Sequence, residues 1–108
     1  MGEPKNRPET SVFTRMVYDY FSDEDYVAFQ QFLLEHPQAG DVVRESSGVR
    51  KVRWSRAGTG KSGGVRVCYY THNQRGQILL LVIYAKSVRD NIPGAVLKKM
   101  KEVLNHAD

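Results

Sequence analysis

The sequence has 108 residues, 41% of them hydrophobic, with one cysteine, a formal net charge of +4 and a pI near 9.3. This is one domain of ordinary size, with enough apolar content to bury a core unaided. The lone Cys68 excludes an intrachain disulfide and fits a reducing cytoplasm, and neither a bilayer-spanning apolar run nor a signal-peptide pattern is present.

Residues 1–9 are polar and carry two prolines. They are expected to form a flexible arm or a frayed edge strand, leaving residues 10–108 as a single domain. Val12, Phe13, Met16, Val17, Tyr20 and Phe21 recur at helical spacing. Thr10 or Ser11 is the expected N-cap. Ser22-Asp-Glu-Asp25 has the pattern of a capping box opening a second helix, its acids set at the positive end of the helix dipole. Tyr26, Phe29, Phe32 and Leu33 give this helix its apolar side, and His36-Pro37 ends it. The two helices are predicted to form a hairpin laid across a sheet.

The sheet is expected in residues 49–86. Val49–Ser55 and Val65–Tyr70 alternate apolar with basic residues, as half-buried strands do. Gln77–Tyr84 is a nearly unbroken apolar run and reads as a buried central strand. Period two puts Lys51, Arg53 and Ser55 on one face of the first strand, with Val52 and Trp54 turned to the core. After this, Asn91 is a possible N-cap and Pro93 suits a first helical turn. Val96, Leu97, Met100, Val103 and Leu104 mark the apolar side of a last helix. The expected fold is α+β, a small antiparallel sheet of three to four strands packed against an N-terminal helical hairpin and a C-terminal helix.

Charge is unevenly spread along the chain. Asp19, Asp23, Glu24, Asp25 and Glu35 make the first third acidic, while Arg44, Arg50, Lys51, Arg53, Arg56, Lys61 and Arg66 make the middle basic. A strand face carrying cations with few interleaved acids is suited to an anion, although a merely solvated cationic face has the same composition. Tyr69, Tyr70 and Tyr84 lie on neighbouring strands, where rings could stack on bases or simply fill the core.

Gly58-Thr-Gly-Lys61-Ser62-Gly has the look of a phosphate loop. The pattern fails, because Ser55 stands where the first glycine belongs and a strand, not a helix, follows. It reads instead as a basic hairpin loop able to touch nucleic-acid backbone. His36, His72 and His106 show no zinc spacing, so no metal or other cofactor is expected. Cys68, inside a strand, reads as a small buried residue.

Gly48-Val-Arg-Lys-Val-Arg53, Gly58-Thr-Gly-Lys-Ser-Gly-Gly-Val-Arg66-Val-Cys-Tyr-Tyr70 and Ile83-Tyr-Ala-Lys86 together resemble the RelE/HigB toxins of bacterial type II toxin–antitoxin systems, most closely the HigB-like branch. The likeness extends back to Ser22-Asp-Glu-Asp-Tyr26 and forward into the last helix. It implies a cytoplasmic, metal-independent endoribonuclease (an mRNA interferase) that enters the ribosomal A site and cuts mRNA by attack of a ribose 2′-OH on the adjacent phosphate. The implied partners are the ribosome with its mRNA and a HigA-like helix-turn-helix antitoxin.

By position, the resemblance implies catalytic roles for Lys51, Arg53, Arg66 and Lys86, and RNA contacts from Arg50, Arg56, Lys61, Tyr70 and Tyr84. Arg66 is the first choice for the phosphate, because guanidinium matches phosphate bidentately. Lys51 is the candidate for proton transfer, since a lysine crowded by cations can give up its proton and an arginine cannot. Arg53 stands where RelE proper has a lysine, so its role is electrostatic. Two departures matter. Ser87 stands where an arginine is expected, and Asn91-Ile92-Pro93 where RelE proper has a catalytic tyrosine, with Arg89 or Tyr84 as candidate substitutes. The alternatives are a ParE-like toxin that poisons gyrase and a catalytically decayed RNA-binding member.

Overall fold

The protein is built on a four-stranded antiparallel sheet whose spatial order follows the chain: β1 (Asp41–Val42), β2 (Arg50–Trp54), β3 (Val65–His72) and β4 (Gln77–Ala85). Helices α1 (Ser11–Tyr20) and α2 (Asp23–Glu35) precede it, and α3 (Gly94–Asn105) follows, giving an α+β fold. The computed structural model describes residues 9–55, 64–72, 77–87 and 91–105.

Both early helices begin where their caps dictate. The Thr10 hydroxyl accepts from Phe13 N at 3.0 Å. Ser22 accepts from Asp25 N at 3.0 Å while the Asp25 carboxylate accepts from Ser22 N at 3.4 Å, closing the capping box. Caps of this kind contribute about 1 kcal/mol each. Phe13 and Val17 of α1, Phe21, and Tyr26, Phe29 and Leu33 of α2 are buried against Val52, Val65, Val67, Tyr69, Leu80 and Ile83 of the sheet. Trp54 packs between Phe29 and Phe32, with centroids 5.2 Å from each.

The opposite face of the sheet is also covered. Cys68, Leu79, Leu81, Val82 and Tyr84 form a second core with Val49, Ile92 and Leu97, and Met100 and Leu104 of α3 pack on it. The face that carries Lys51, Arg53 and Arg66 is therefore shared with an apolar core. Val96 and Val103, expected on the apolar side of α3, are exposed. The periodicity of that helix admits either flank, and contact with the sheet selects Leu97, Met100 and Leu104.

β4 is the last strand of the sheet, not a central one. It is apolar because helices cover both of its faces and its outer edge is occupied. Glu9 forms a parallel bridge to Leu80, Thr10 N donates to Leu80 O at 3.0 Å, and the Thr10 hydroxyl donates to Leu81 O at 2.6 Å. β4 also carries an extra residue. Cys68 pairs with Val82 but Tyr69 with Leu80, leaving Leu81 as a bulge. The bulge turns both Leu81 and Val82 toward α3.

The connection from β1 to β2 fixes α3. Glu45, Ser47 and Gly48 all take positive φ. Buried Ser46 holds this loop by donating to Val43 O at 2.7 Å and accepting from Val49 N at 3.0 Å. The nearly buried Lys101 of α3 donates to Ser47 O at 2.9 Å and lies 4.4 Å from the centre of the Tyr70 ring. Gly94 sits so close to the loop that a Cβ there would fall 1.9 Å from Arg44 O. Only glycine admits that approach.

Candidate anion-binding site

The ladder pairs Arg53 of β2 with Arg66 of β3, and Arg66 with Tyr84 of β4. Directly paired residues share a face of the sheet, with Cα atoms about 4.5–5.5 Å apart. Arg53, Arg66 and Tyr84 thus make one row across three strands. The neighbouring row is Lys51, Cys68 and Val82. Alternation along β2 places Lys51 and Arg53 together, as the sequence spacing predicts.

Arg53 is exposed and Arg66 half-buried. Among the described residues neither has a hydrogen-bond or ion-pair partner, and the same holds for exposed Lys86, in the turn after β4. The Arg53 stem lies alongside Gly64, its Cγ 3.5 Å from where a Cβ would stand. Two arginines therefore stand directly opposite each other on adjacent strands, with no described carboxylate as partner to either. Lys51 faces Asp41 across the β1–β2 ladder, but its ammonium donates instead to Asn91 Oδ1, at 3.0 Å.

Cys68 is buried beside Lys51, its partner on the neighbouring strand. Burial pushes its thiol up to about 12, against the opposing pull of the Lys51 charge. It is a packing residue and no nucleophile at neutral pH.

Other expected contacts lie elsewhere. Arg50 has the opposite parity to Lys51 and reaches back over the sheet edge, its Nη1 donating to Gly40 O at 2.7 Å and to Gln38 O at 3.4 Å. It ties down the turn after α2 and is not part of the cationic rows. Tyr84 is buried in the second core, so its ring face is closed to a stacking base. Tyr70 is half-buried, with Lys101 on its ring. Arg56, Lys61 and Arg89 lie outside the described residues.

Tyr69, the third of these tyrosines, is fully buried on the hairpin side. Its hydroxyl donates to Pro37 O at 3.0 Å and accepts from Gly40 N at 2.9 Å. Burial raises its pKa, with hydrogen bonding from Gly40 and the Arg50 charge working the other way.

The residues that sequence reasoning missed are Asn91 and Lys101. Asn91 carried the signal of a helix cap and marked a departure from the RelE pattern, but neither pointed to Lys51, 40 positions away. Lys101 lies one position after Met100 on an amphipathic helix, where a lysine normally faces water. No group of three or more His, Cys, Asp or Glu able to hold a metal occurs among the described residues. No helix among them is long and apolar enough to cross a membrane. No protein-family model matches the sequence.

Proposed function

We propose that this protein is a cytoplasmic, ribosome-dependent mRNA endonuclease, the toxin of a type II toxin–antitoxin system. The observation that carries the reading is the opposed pair Arg53 and Arg66, with no described partner and with Lys51 on the next row. Like charges set directly opposite on neighbouring strands are unfavourable to the fold. A pair kept in that state is explained by an anion that settles between them. With the resemblance to RelE/HigB toxins in support, that anion is taken to be the mRNA phosphodiester.

The chemistry follows from the charges. Attack of a 2′-OH on the adjacent phosphate needs a base for the hydroxyl proton, cations for the charge building on the phosphorane, and a proton for the leaving 5′ oxygen. In this reading Lys51 is the candidate for proton transfer. Arg66 binds the non-bridging oxygens, with Arg53 adding charge from the facing strand. Lys86, at the end of β4, is available to orient the RNA. The products are a cyclic phosphate and a 5′-OH. A HigA-like antitoxin is the proposed neutralising partner.

A reading as a binding module without catalysis has one observation behind it. The two tyrosines nearest the site, Tyr70 and Tyr84, are engaged in the second core, which leaves the leaving-group proton without a tyrosine donor among the described residues. The deciding experiment is mRNA cleavage in a purified translation system, with and without ribosomes, comparing wild type with Arg66→Ala. Ribosome-dependent cuts that vanish in the variant establish the reaction. Wild type that binds RNA and cuts nothing establishes the binding module, and inhibition of gyrase supercoiling would redirect the assignment to a ParE-like toxin.

A further inference from the structure

We infer that Asn91 is a positioning residue that sets the Lys51 ammonium against the paired arginines without cancelling its charge. The inference rests on the function proposed above for its catalytic consequence, but the pairing itself stands on geometry alone.

Lys51 has a choice of partners. Across the β1–β2 ladder it faces the Asp41 carboxylate, and on its other side Cys68, whose thiol stays protonated. It takes neither as its hydrogen-bond partner. Its Nζ donates to Asn91 Oδ1 at 3.0 Å. An ammonium has only donors, so the amide must offer its oxygen. An amide oxygen fixes the position of the cation and leaves its full charge available. A carboxylate in the same place would form an ion pair and repel a phosphate.

The segment that presents Asn91 is held firmly. The next residue, Ile92, is buried in the second core. Three residues on, Gly94 is packed against the Arg44 carbonyl, and further along α3 Lys101 is tied to Ser47 O. The platform for the amide is thus anchored to the β1–β2 loop as well as to the sheet. The segment that leads into α3 thereby does more than connect, since it supplies the amide against which Lys51 is registered.

The test uses the full chain and three variants, Asn91→Ala, Asn91→Asp and, for assignment, Lys51→Arg. Proton–nitrogen correlation spectra of lysine ammonium groups at mildly acidic pH report whether an ammonium is held in a hydrogen bond. The signal that disappears in Lys51→Arg is assigned to Lys51. It is expected to be lost in Asn91→Ala and retained in Asn91→Asp, with the thermal midpoint unchanged in both. In the ribosome-dependent assay, Asn91→Ala is expected to lower kcat by about tenfold with little change in KM, as misplacement of a reacting group does. Asn91→Asp is expected to weaken binding of a single-stranded RNA and to reduce the slope of log affinity against log salt by about 0.7, the contribution of one phosphate contact.

A Lys51 signal that persists unchanged in Asn91→Ala overturns the pairing. Loss of the signal with kcat and the salt slope unaltered overturns its role in the site. Wild type that cleaves nothing sinks the proposed function instead, and the ammonium spectra and salt slopes then decide the inference about Asn91 by themselves.

Discussion

Arg53 and Arg66 face each other directly across the β2–β3 ladder. Each is carried by a strand whose alternate residues are locked into the hairpin-side core, Val52 on one and Val65 and Val67 on the other. Neither arginine can turn away by a change of register, because a slip of one residue would expose that core. The repulsion is thus built in by the packing behind it, a local conflict of the kind found where a fold serves a ligand.

Removing one of the two charges is expected to stabilise the fold while destroying function. Arg66→Gln keeps most of the stem and removes the charge. It should raise stability by about 0.5 kcal/mol, and a double-mutant cycle with Arg53→Gln should return an unfavourable coupling between the wild-type pair. Urea denaturation of the four proteins measures it. A favourable coupling would mean that the two guanidinium groups do not confront each other.

Gly94→Ala should be among the most damaging of small substitutions. The added methyl would lie 1.9 Å from Arg44 O and 2.9 Å from Glu45 C, both backbone atoms with no rotamer to change. The helix or the loop must shift, at a cost of about 3 kcal/mol. The expected outcome is a large drop in the thermal midpoint, despite the better helix propensity of alanine. An unchanged midpoint would show that the contact between α3 and the loop yields easily.

Tyr69→Phe tests the strut between the sheet and the turn after α2. The substitution preserves the ring and deletes both bonds of the hydroxyl. It leaves Gly40 N, buried beneath the turn, without a partner, which costs about 2 kcal/mol. Hydrogen exchange at Gly40 should accelerate relative to wild type even under native conditions.

Stability should fall at alkaline pH. Burial raises the pKa of Tyr69, burial and the bond to the Glu9 carboxylate raise that of Tyr26, and burial holds the Cys68 thiol at about 12. The unfolded chain releases these protons first, so it binds fewer of them at high pH, and stability declines as pH rises. The contribution of Cys68 is complete below its ordinary value near 9 and fades as pH climbs toward 12. Those of Tyr26 and Tyr69 fade from about 10 upward. Urea midpoints measured from pH 8 to 11 should fall, and Cys68→Ala should flatten the first part of that decline.

Much of this fold is legible from local pattern. The caps at Thr10 and Ser22 are short-range chemistry, and the parity of Lys51, Val52, Arg53 and Trp54 follows from the pleat. What lies beyond local pattern is the order and covering of the strands. The apolar run of β4 is the same whether neighbours lie on both edges or a threonine occupies one. Arg50 differs from Lys51 only in parity, and nothing in its own neighbourhood announces the carbonyls of Gln38 and Gly40. Tyr84 stands in the row of the arginines, yet its ring is buried, because α3 returns over that face from the far end of the chain.

The bulge at Leu81 divides the sheet's labour. On one side of that joint the ladder carries the arginine row; on the other, Tyr69 and Tyr70 brace the turn after α2 and the last helix. Since the joint already absorbs one residue of mismatch, its carbonyl secured by the Thr10 hydroxyl, the two halves answer to separate alignments. Changes that rework the bracing end can accumulate without turning Arg66 away from Arg53, so the scaffold is free to diversify at one end while its charge pair stays aimed.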